Sequence, residues 1–171
     1  MSAQIHNTFN ENGFVIVSDI LTHQESQLLK AEIQTLIDAA KCKATEDGQD
    51  PENVAGHGVY VGLSTQSQIF RDAVKNKKIL DVLQVILSPN IEFLSDKAVF
   101  KSHRMDFDSP WHQDWHYWHG SHKISVWIGW MIQRLKMGVS NSFRVVTNQL
   151  SYTMERQTMD ADLGIVFSLM L

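Results

Sequence analysis

Residues 110–118 read PWHQDWHYW and are the most informative stretch of this 171-residue sequence. Side chains alternate between the two faces of a β-strand, so His112 and Asp114, two positions apart, are expected on one face. An imidazole and a carboxylate that converge in this way supply two of the three protein ligands of a 2-His-1-carboxylate iron(II) site. His112 and Asp114 are therefore candidate metal ligands and candidate catalytic residues.

Aromatic residues surround this pair. Trp115, Tyr117 and Trp118 follow it directly, and Trp130 comes a little later. Aromatic side chains at an active site can position a substrate and exclude bulk water, which is one interpretation of the first three. Core packing is the alternative for the tryptophans, and the sequence does not choose between the two.

Three more histidines, His116, His119 and His122, follow at spacings of three. Such residues are more typical of a solvated loop than of a metal site. A zinc site built from His112, Asp114 and His116 is an alternative, but its geometry would be poor because all three donors would come from one strand and its turn.

Composition indicates one soluble globular domain, with 43% hydrophobic and 20% charged residues. The net charge of −4 and the scattered lysines give no electrostatic reason to bind nucleic acid, so a small-molecule substrate is the expected partner. Cys42 is the single cysteine, which excludes an intrachain disulfide and a cysteine-based zinc site. The sequence shows no signal peptide and no apolar run long enough to span a membrane, so we expect a cytoplasmic protein.

The first half of the sequence predicts a strand followed by helices. Residues 13–17 form an apolar, β-branched run typical of a buried strand. Thr22 and Glu25 have the spacing of a capping box, which predicts a helix over residues 24–40. The polar segment 42–58 is predicted to be a loop or a mobile lid, because it is rich in Asp, Glu, Asn and Gly.

Later segments predict two shorter helices and then strands. The helices are expected near residues 66–76 and 78–87, and the strands at residues 91–94, 98–101 and 124–128. Helices followed by an antiparallel sheet indicate the α+β class.

The order of these features resembles the phytanoyl-CoA dioxygenase family. The shared features are the opening strand, the capped helix, the strand that ends at Lys101, the Trp-His-Gln-Asp string and the Val-Trp-Ile strand around Trp127. The resemblance covers residues 9–129. It implies a double-stranded β-helix, a jelly-roll or cupin-like barrel with flanking N-terminal helices.

The resemblance also implies cofactors and roles for particular residues. The cofactors would be Fe(II), 2-oxoglutarate as cosubstrate, and O2. His112 and Asp114 would be the iron ligands, and Gln113 and Trp127 would contact 2-oxoglutarate or pack around it. Lys101 lies where the family commonly has a lysine that faces the cosubstrate or the substrate.

The reaction that this resemblance implies is hydroxylation of a small organic or acyl-type substrate, coupled to decarboxylation of 2-oxoglutarate to succinate and CO2. Halogenating relatives replace the carboxylate ligand with a small residue, so Asp114 favours hydroxylation. An inactive family member that acts as a binding module, or has no function, is the alternative.

The resemblance ends near Trp130. The family has a second histidine ligand far downstream and, about ten positions beyond it, a basic residue for the distal carboxylate of 2-oxoglutarate, but the sequence after Trp130 contains no histidine. The barrel is therefore expected to be incomplete, with residues 1–129 forming its first part and residues 130–171 a separate tail.

Codon degeneracy offers an explanation of this tail. If the codons are read one base earlier, Met131 and Ile132 must become Asp-Asp and Gly138 must remain Gly. The surrounding codons permit the other residues that the family usually has in this segment. We therefore hypothesise a single-base deletion near Trp130 that places residues 130–171 out of frame. The rival hypothesis is a diverged tail, in which residues 162–167 loosely resemble the strand that precedes the second histidine.

Overall fold

The computed structural model describes residues 2–54, 59–101, 123–129, 142–147 and 162–170. Within these ranges, helices dominate the first half of the chain and strands the second. The helices are α1 (Ser2–Asn12), α2 (His23–Glu46), α3 (Leu63–Gln66), α4 (Gln68–Val74) and α5 (Lys77–Ile86), with one 3-10 turn at Pro51–Asn53. The strands are β1 (Phe14–Ser18), β2 (Val59–Val61), β3 (Glu92–Lys101), β4 (Lys123–Gly129), β5 (Ser142–Thr147) and β6 (Asp162–Met170).

The six described strands form one sheet in the order β1-β5-β4-β6-β3-β2. Every neighbouring pair is antiparallel. The α+β class and the antiparallel sheet are therefore confirmed. The second sheet that a double-stranded β-helix requires is not found among the described ranges.

One face of the sheet packs against the helices. Along β4 this face carries Ile124, Val126 and Ile128, which are all buried, and along β3 it carries Ala98. These residues belong to one apolar cluster to which every described α-helix contributes side chains. The helical members of the cluster are Phe9, Leu29, Ile33, Ile37, Leu63, Phe70, Ile79, Val82 and Leu83. The core thus lies between the helical layer and this covered face of the sheet.

The opposite face is more open. On this face, one row of directly paired residues crosses all six described strands. In sheet order, the row consists of Ile16, Arg144, Trp127, Val166, Lys97 and Val61. Ile16, Trp127 and Val61 are three of the large hydrophobic side chains that remain exposed. We call this set of positions the open row.

Helix α2 begins as predicted and ends later than predicted. The Thr22 hydroxyl accepts a hydrogen bond from the Glu25 backbone N–H (3.1 Å), and the Glu25 carboxylate accepts one from the Thr22 N–H (2.7 Å). The prediction of a loop from residue 42 was wrong at its start, because α2 continues to Glu46. Ala44 in this last turn is buried, which gives the extension an apolar contact that the polar composition of the segment hid.

Helix α3 is fixed by a residue of β3. Asp96 is only 3% exposed, and its carboxylate accepts a hydrogen bond from the Ser64 N–H at 2.8 Å. Its backbone carbonyl accepts a second bond from the N–H of Gly62, whose φ of 73° lies in the left-handed region that glycine tolerates. A buried carboxylate thus takes the role that a capping side chain normally plays at a helix N-terminus.

The remaining predicted elements are found with shifted bounds. The two predicted strands at 91–94 and 98–101 are a single strand, β3, with an irregularity between Phe93 and Ser95. The strand predicted at 124–128 is confirmed as β4. The two later helices are confirmed as α4 and α5, whereas α1, α3, β2 and β5 were not predicted.

No helix in the described ranges combines the length and the apolar character needed to cross a membrane.

Candidate functional site

The five candidate site residues divide into two groups. Trp127 lies in β4 and Lys101 ends β3, so the structure describes their backbone positions. His112, Gln113 and Asp114 lie outside the described residues, and their roles stay predictions.

Trp127 belongs to the open row. Its two neighbours along β4, Val126 and Ile128, are 0% and 4% exposed and face the helices. Trp127 itself is 37% exposed. A large aromatic side chain on the uncovered side of a sheet can contact a ligand, because the core does not use it.

Lys101 lies on the same face as Trp127 but in a different row. It pairs with Asp162 of β6, while Trp127 pairs with Val166. Four residues along a strand correspond to about 13 Å, and two strand spacings to about 10 Å. The Cα atoms of Lys101 and Trp127 are therefore roughly 17 Å apart. The sheet brings the two positions to one face without making them neighbours.

The predicted iron ligands belong to the segment that joins β3 to β4. These two strands flank β6, and both run antiparallel to it, so they are parallel to each other. Lys101 at the end of β3 pairs with Asp162, and Lys123 at the start of β4 pairs with Met170. Asp162 and Met170 are eight residues apart along β6, so Lys101 and Lys123 are separated by about 27 Å along the strand direction.

The described residues contain no group of three or more histidine, cysteine or carboxylate side chains that could hold a metal ion. A metal site must therefore use donors from other parts of the chain. The pair His112 and Asp114 has the nitrogen and oxygen donor types that suit ferrous iron. As predicted ligands, His112 and Asp114 account for two donors of a 2-His-1-carboxylate site, and residues 131–171 contain no histidine.

Lys97 is a residue of the open row that was not predicted from the sequence. It is exposed and lies two strands from Trp127, with Val166 between them. The signal that could have found it is the strand alternation, since residues 97, 99 and 101 share one face of β3. The family resemblance drew attention to Lys101 instead.

Several solved structures share this fold. A structure of EctD from S. alaskensis with bound Fe is 13% identical, with a TM-score of 0.72, and the match covers 99% of this chain and 76% of that one. A nickel complex of the non-haem monooxygenase ThoJ is 17% identical, with a TM-score of 0.66, covering 97% and 76%. HygX from Streptomyces hygroscopicus, with nickel and 2-oxoglutarate bound, is 9% identical, with a TM-score of 0.66, covering 99% and 86%. At these identities the likeness shows the fold alone.

The sequence places the chain more narrowly. The model of the phytanoyl-CoA dioxygenase (PhyH) family matches residues 9–132, so this chain belongs to that family of 2-oxoglutarate-dependent non-haem oxygenases. The resemblance stated from the sequence is confirmed over nearly the same residues. Iron, 2-oxoglutarate and dioxygen are the cofactors of this enzyme class. No curated protein sequence matches the chain.

Proposed function

We propose that this chain derives from a hydroxylase that uses Fe(II) and 2-oxoglutarate to oxidise a small organic or acyl-type substrate. The family match over residues 9–132 carries the proposal, because it includes the His-Gln-Asp string. The partial exposure of Trp127 supports it, because 37% of this aromatic side chain remains accessible and can contact a ligand.

Each candidate residue has a proposed role. His112 and Asp114 hold the metal, and Gln113 and Trp127 contact the cosubstrate. Lys101 contributes a positive charge at the end of β3, where it faces cosubstrate or substrate. With dioxygen, the metal and 2-oxoglutarate supply the oxidation of a substrate C–H bond, and 2-oxoglutarate leaves as succinate and CO2.

The absence of histidine from residues 131–171 favours a second candidate function. Two protein donors hold iron more weakly than three, and no histidine follows His122 in the sequence. A chain with residues 130–171 out of frame would be a catalytically inactive family member, either a binding module or without function. The coding DNA tests the frame: read one base earlier, it must encode Asp-Asp at positions 131–132 and Gly at position 138.

Succinate release from 2-oxoglutarate tests the enzymatic proposal. We expect turnover that depends on added Fe(II) and falls about a hundredfold or more in His112→Ala, since even residues outside the ligand set change metal affinity by 10–100-fold. His6→Ala is the matched control, because His6 is exposed on α1 and its ring contacts the Asn10 side chain one helical turn away. Succinate release that is absent from the parent chain, or equal in the parent and His112→Ala, would favour the inactive form.

A further inference from the structure

Helix α1 ends at an Asn-Gly pair that two hydrogen bonds hold in place. Asn12 is the exposed last residue of α1, and its Nδ2 donates a hydrogen bond to the Thr8 carbonyl at 3.0 Å. Gly13 follows with a φ of 74°, in the left-handed region, and its N–H donates to the Phe9 carbonyl at 2.8 Å. A left-handed glycine with this single bond is a common way to end a helix.

The pair has a chemical property that the other asparagines of the chain lack. Asn12 is the only asparagine in the sequence that is followed by glycine, and the others all precede residues with larger side chains. The backbone nitrogen that follows an asparagine can attack the side-chain amide and close a succinimide ring. A side chain on that following residue hinders the attack, and glycine has none.

We propose that Asn12 is a site of spontaneous deamidation, which the folded end of α1 suppresses and which, once it has occurred, loosens α1 from β1. The Gly13 nitrogen attacks Cγ of Asn12, so that a C–N bond forms and the Cγ–Nδ2 bond breaks. Ammonia leaves with the proton of the Gly13 N–H. Water then opens the succinimide at either carbonyl and gives aspartate or isoaspartate at position 12. No atom changes its oxidation state, and water is the co-reactant.

The folded helix end opposes the first of these steps. The Gly13 proton that must leave is held by the Phe9 carbonyl, and the bond from Nδ2 to Thr8 draws the Asn12 amide back along the helix. Phe9 is 7% exposed in the apolar cluster, and α1 contacts both α5 and β1. The reactive geometry therefore needs the end of α1 to open, and the rate of deamidation should follow that local opening.

The products differ from asparagine at the atoms that the helix end uses. A carboxylate only accepts hydrogen bonds, so it cannot donate to the Thr8 carbonyl. It also adds a negative charge at the C-terminus of α1, where the helix dipole is itself negative. Isoaspartate lengthens the main chain between α1 and β1, which Gly13 alone separates. Both products therefore weaken the attachment of α1 to the sheet.

Ageing of the full chain in mildly alkaline buffer tests the modification. Peptide mapping by mass spectrometry would follow conversion at Asn12, and Asn90 is the matched control because it is an exposed asparagine that precedes Ile91. In urea we expect Asn12 to convert much faster than Asn90. In the folded chain, conversion at Asn12 should be slower than in urea by about tenfold or more, because only the opened end of α1 reacts.

Asn12→Asp imitates one product and tests the effect on α1. Hydrogen exchange at the Gly13 amide should be about fivefold or more faster than in the parent, from the lost hydrogen bond and the unfavourable charge. Asn10→Asp is the matched control, since it places the same charge on α1 at an exposed residue whose side-chain amide contacts His6. It should raise the exchange rate less than Asn12→Asp does.

Several results would overturn the proposal. Asn12 that stays unmodified in urea would do so, as would conversion that is equally fast in the folded chain and in urea. An exchange rate at Gly13 that is no higher in Asn12→Asp than in the parent or in Asn10→Asp would contradict the loosening of α1. Should Asn12→Asp fail to fold, exchange in the aged parent is compared with exchange in fresh protein. Neither step involves iron or 2-oxoglutarate, so the proposed function can fail while these results stand.

Discussion

The two faces of the sheet differ in what their residues do. On the covered face, Val126 and Ile128 are buried under the helices, and each is surrounded by apolar side chains. On the open face, Trp127 and Lys97 remain exposed. Adjacent positions on β4 therefore lie in different environments, one buried under the helices and one exposed, because successive side chains point to opposite faces. Substitutions can test this division.

The largest expected contrast is between two valines on opposite faces. Val126 is 0% exposed and Val61 is 65% exposed. Val126→Ala should lower the free energy of unfolding by roughly 2 kcal/mol, because it leaves a cavity in the core. Val61→Ala should change it by less than about 0.5 kcal/mol, as for other surface substitutions. Urea unfolding of both variants measures the difference.

Each variant controls for the other, since the chemical change is the same. Similar losses of stability in the two variants would mean that the open face is also covered in solution. The division between the two faces would then be wrong.

A smaller effect should come from the N-terminus of α2, in the covering layer. Hydrogen bonds from Thr22, first from its backbone and then from its side chain, lower the pKa of Glu25 below its usual value of 4.5. Since the folded-state pKa is depressed, the stabilisation is present above the unfolded-state pKa and is lost as pH falls through the folded-state pKa. Glu25 is largely exposed, so this contribution stays below about 1 kcal/mol.

Glu25→Gln removes the titrating group and keeps the side-chain shape. We expect the parent to be more stable than Glu25→Gln at pH 7 and the difference to disappear as pH falls below 4.5. A difference in unfolding free energy that is the same at neutral and acidic pH would show that the carboxylate charge plays no part in the cap.

The smallest expected effect concerns the next residue of α2. Ser26 is 2% exposed, and its hydroxyl has no hydrogen-bond partner in the described part of the chain. Ser26→Ala removes an unsatisfied buried polar atom and improves helix propensity. We expect the free energy of unfolding to rise by about 0.5 kcal/mol. A loss of 1 kcal/mol or more would mean that the hydroxyl is bonded.

The predictable parts of the fold are those with a local signal. The capping box at Thr22 marked the start of α2, and the β-branched run at 124–128 marked β4. The extension of α2 to Glu46 was missed because it depends on the burial of Ala44, a tertiary contact. The cap of α3 by Asp96 joins residues 32 positions apart, and no local pattern announces it.

The family was predictable from the sequence, whereas the roles of the candidate site residues stay predictions. The His-x-Asp string and the order of elements were enough to indicate the family. The register that puts Lys97, rather than Lys101, in the row of Trp127 depends on pairing with β6, which the sequence did not predict. Long-range strand pairing cannot be read from alternation alone.

The strand order has a consequence for synthesis on the ribosome. Strand β1 pairs with β5, where Val15 lies opposite Val145, and β3 and β4 are connected only through β6. When β4 emerges during translation, the described strands are still three separate pieces: β1 alone, β4 alone, and β2 paired with β3. Assembly of the whole sheet must wait for residues 162–170, so the nascent chain would expose unpaired strand edges until β6 has emerged.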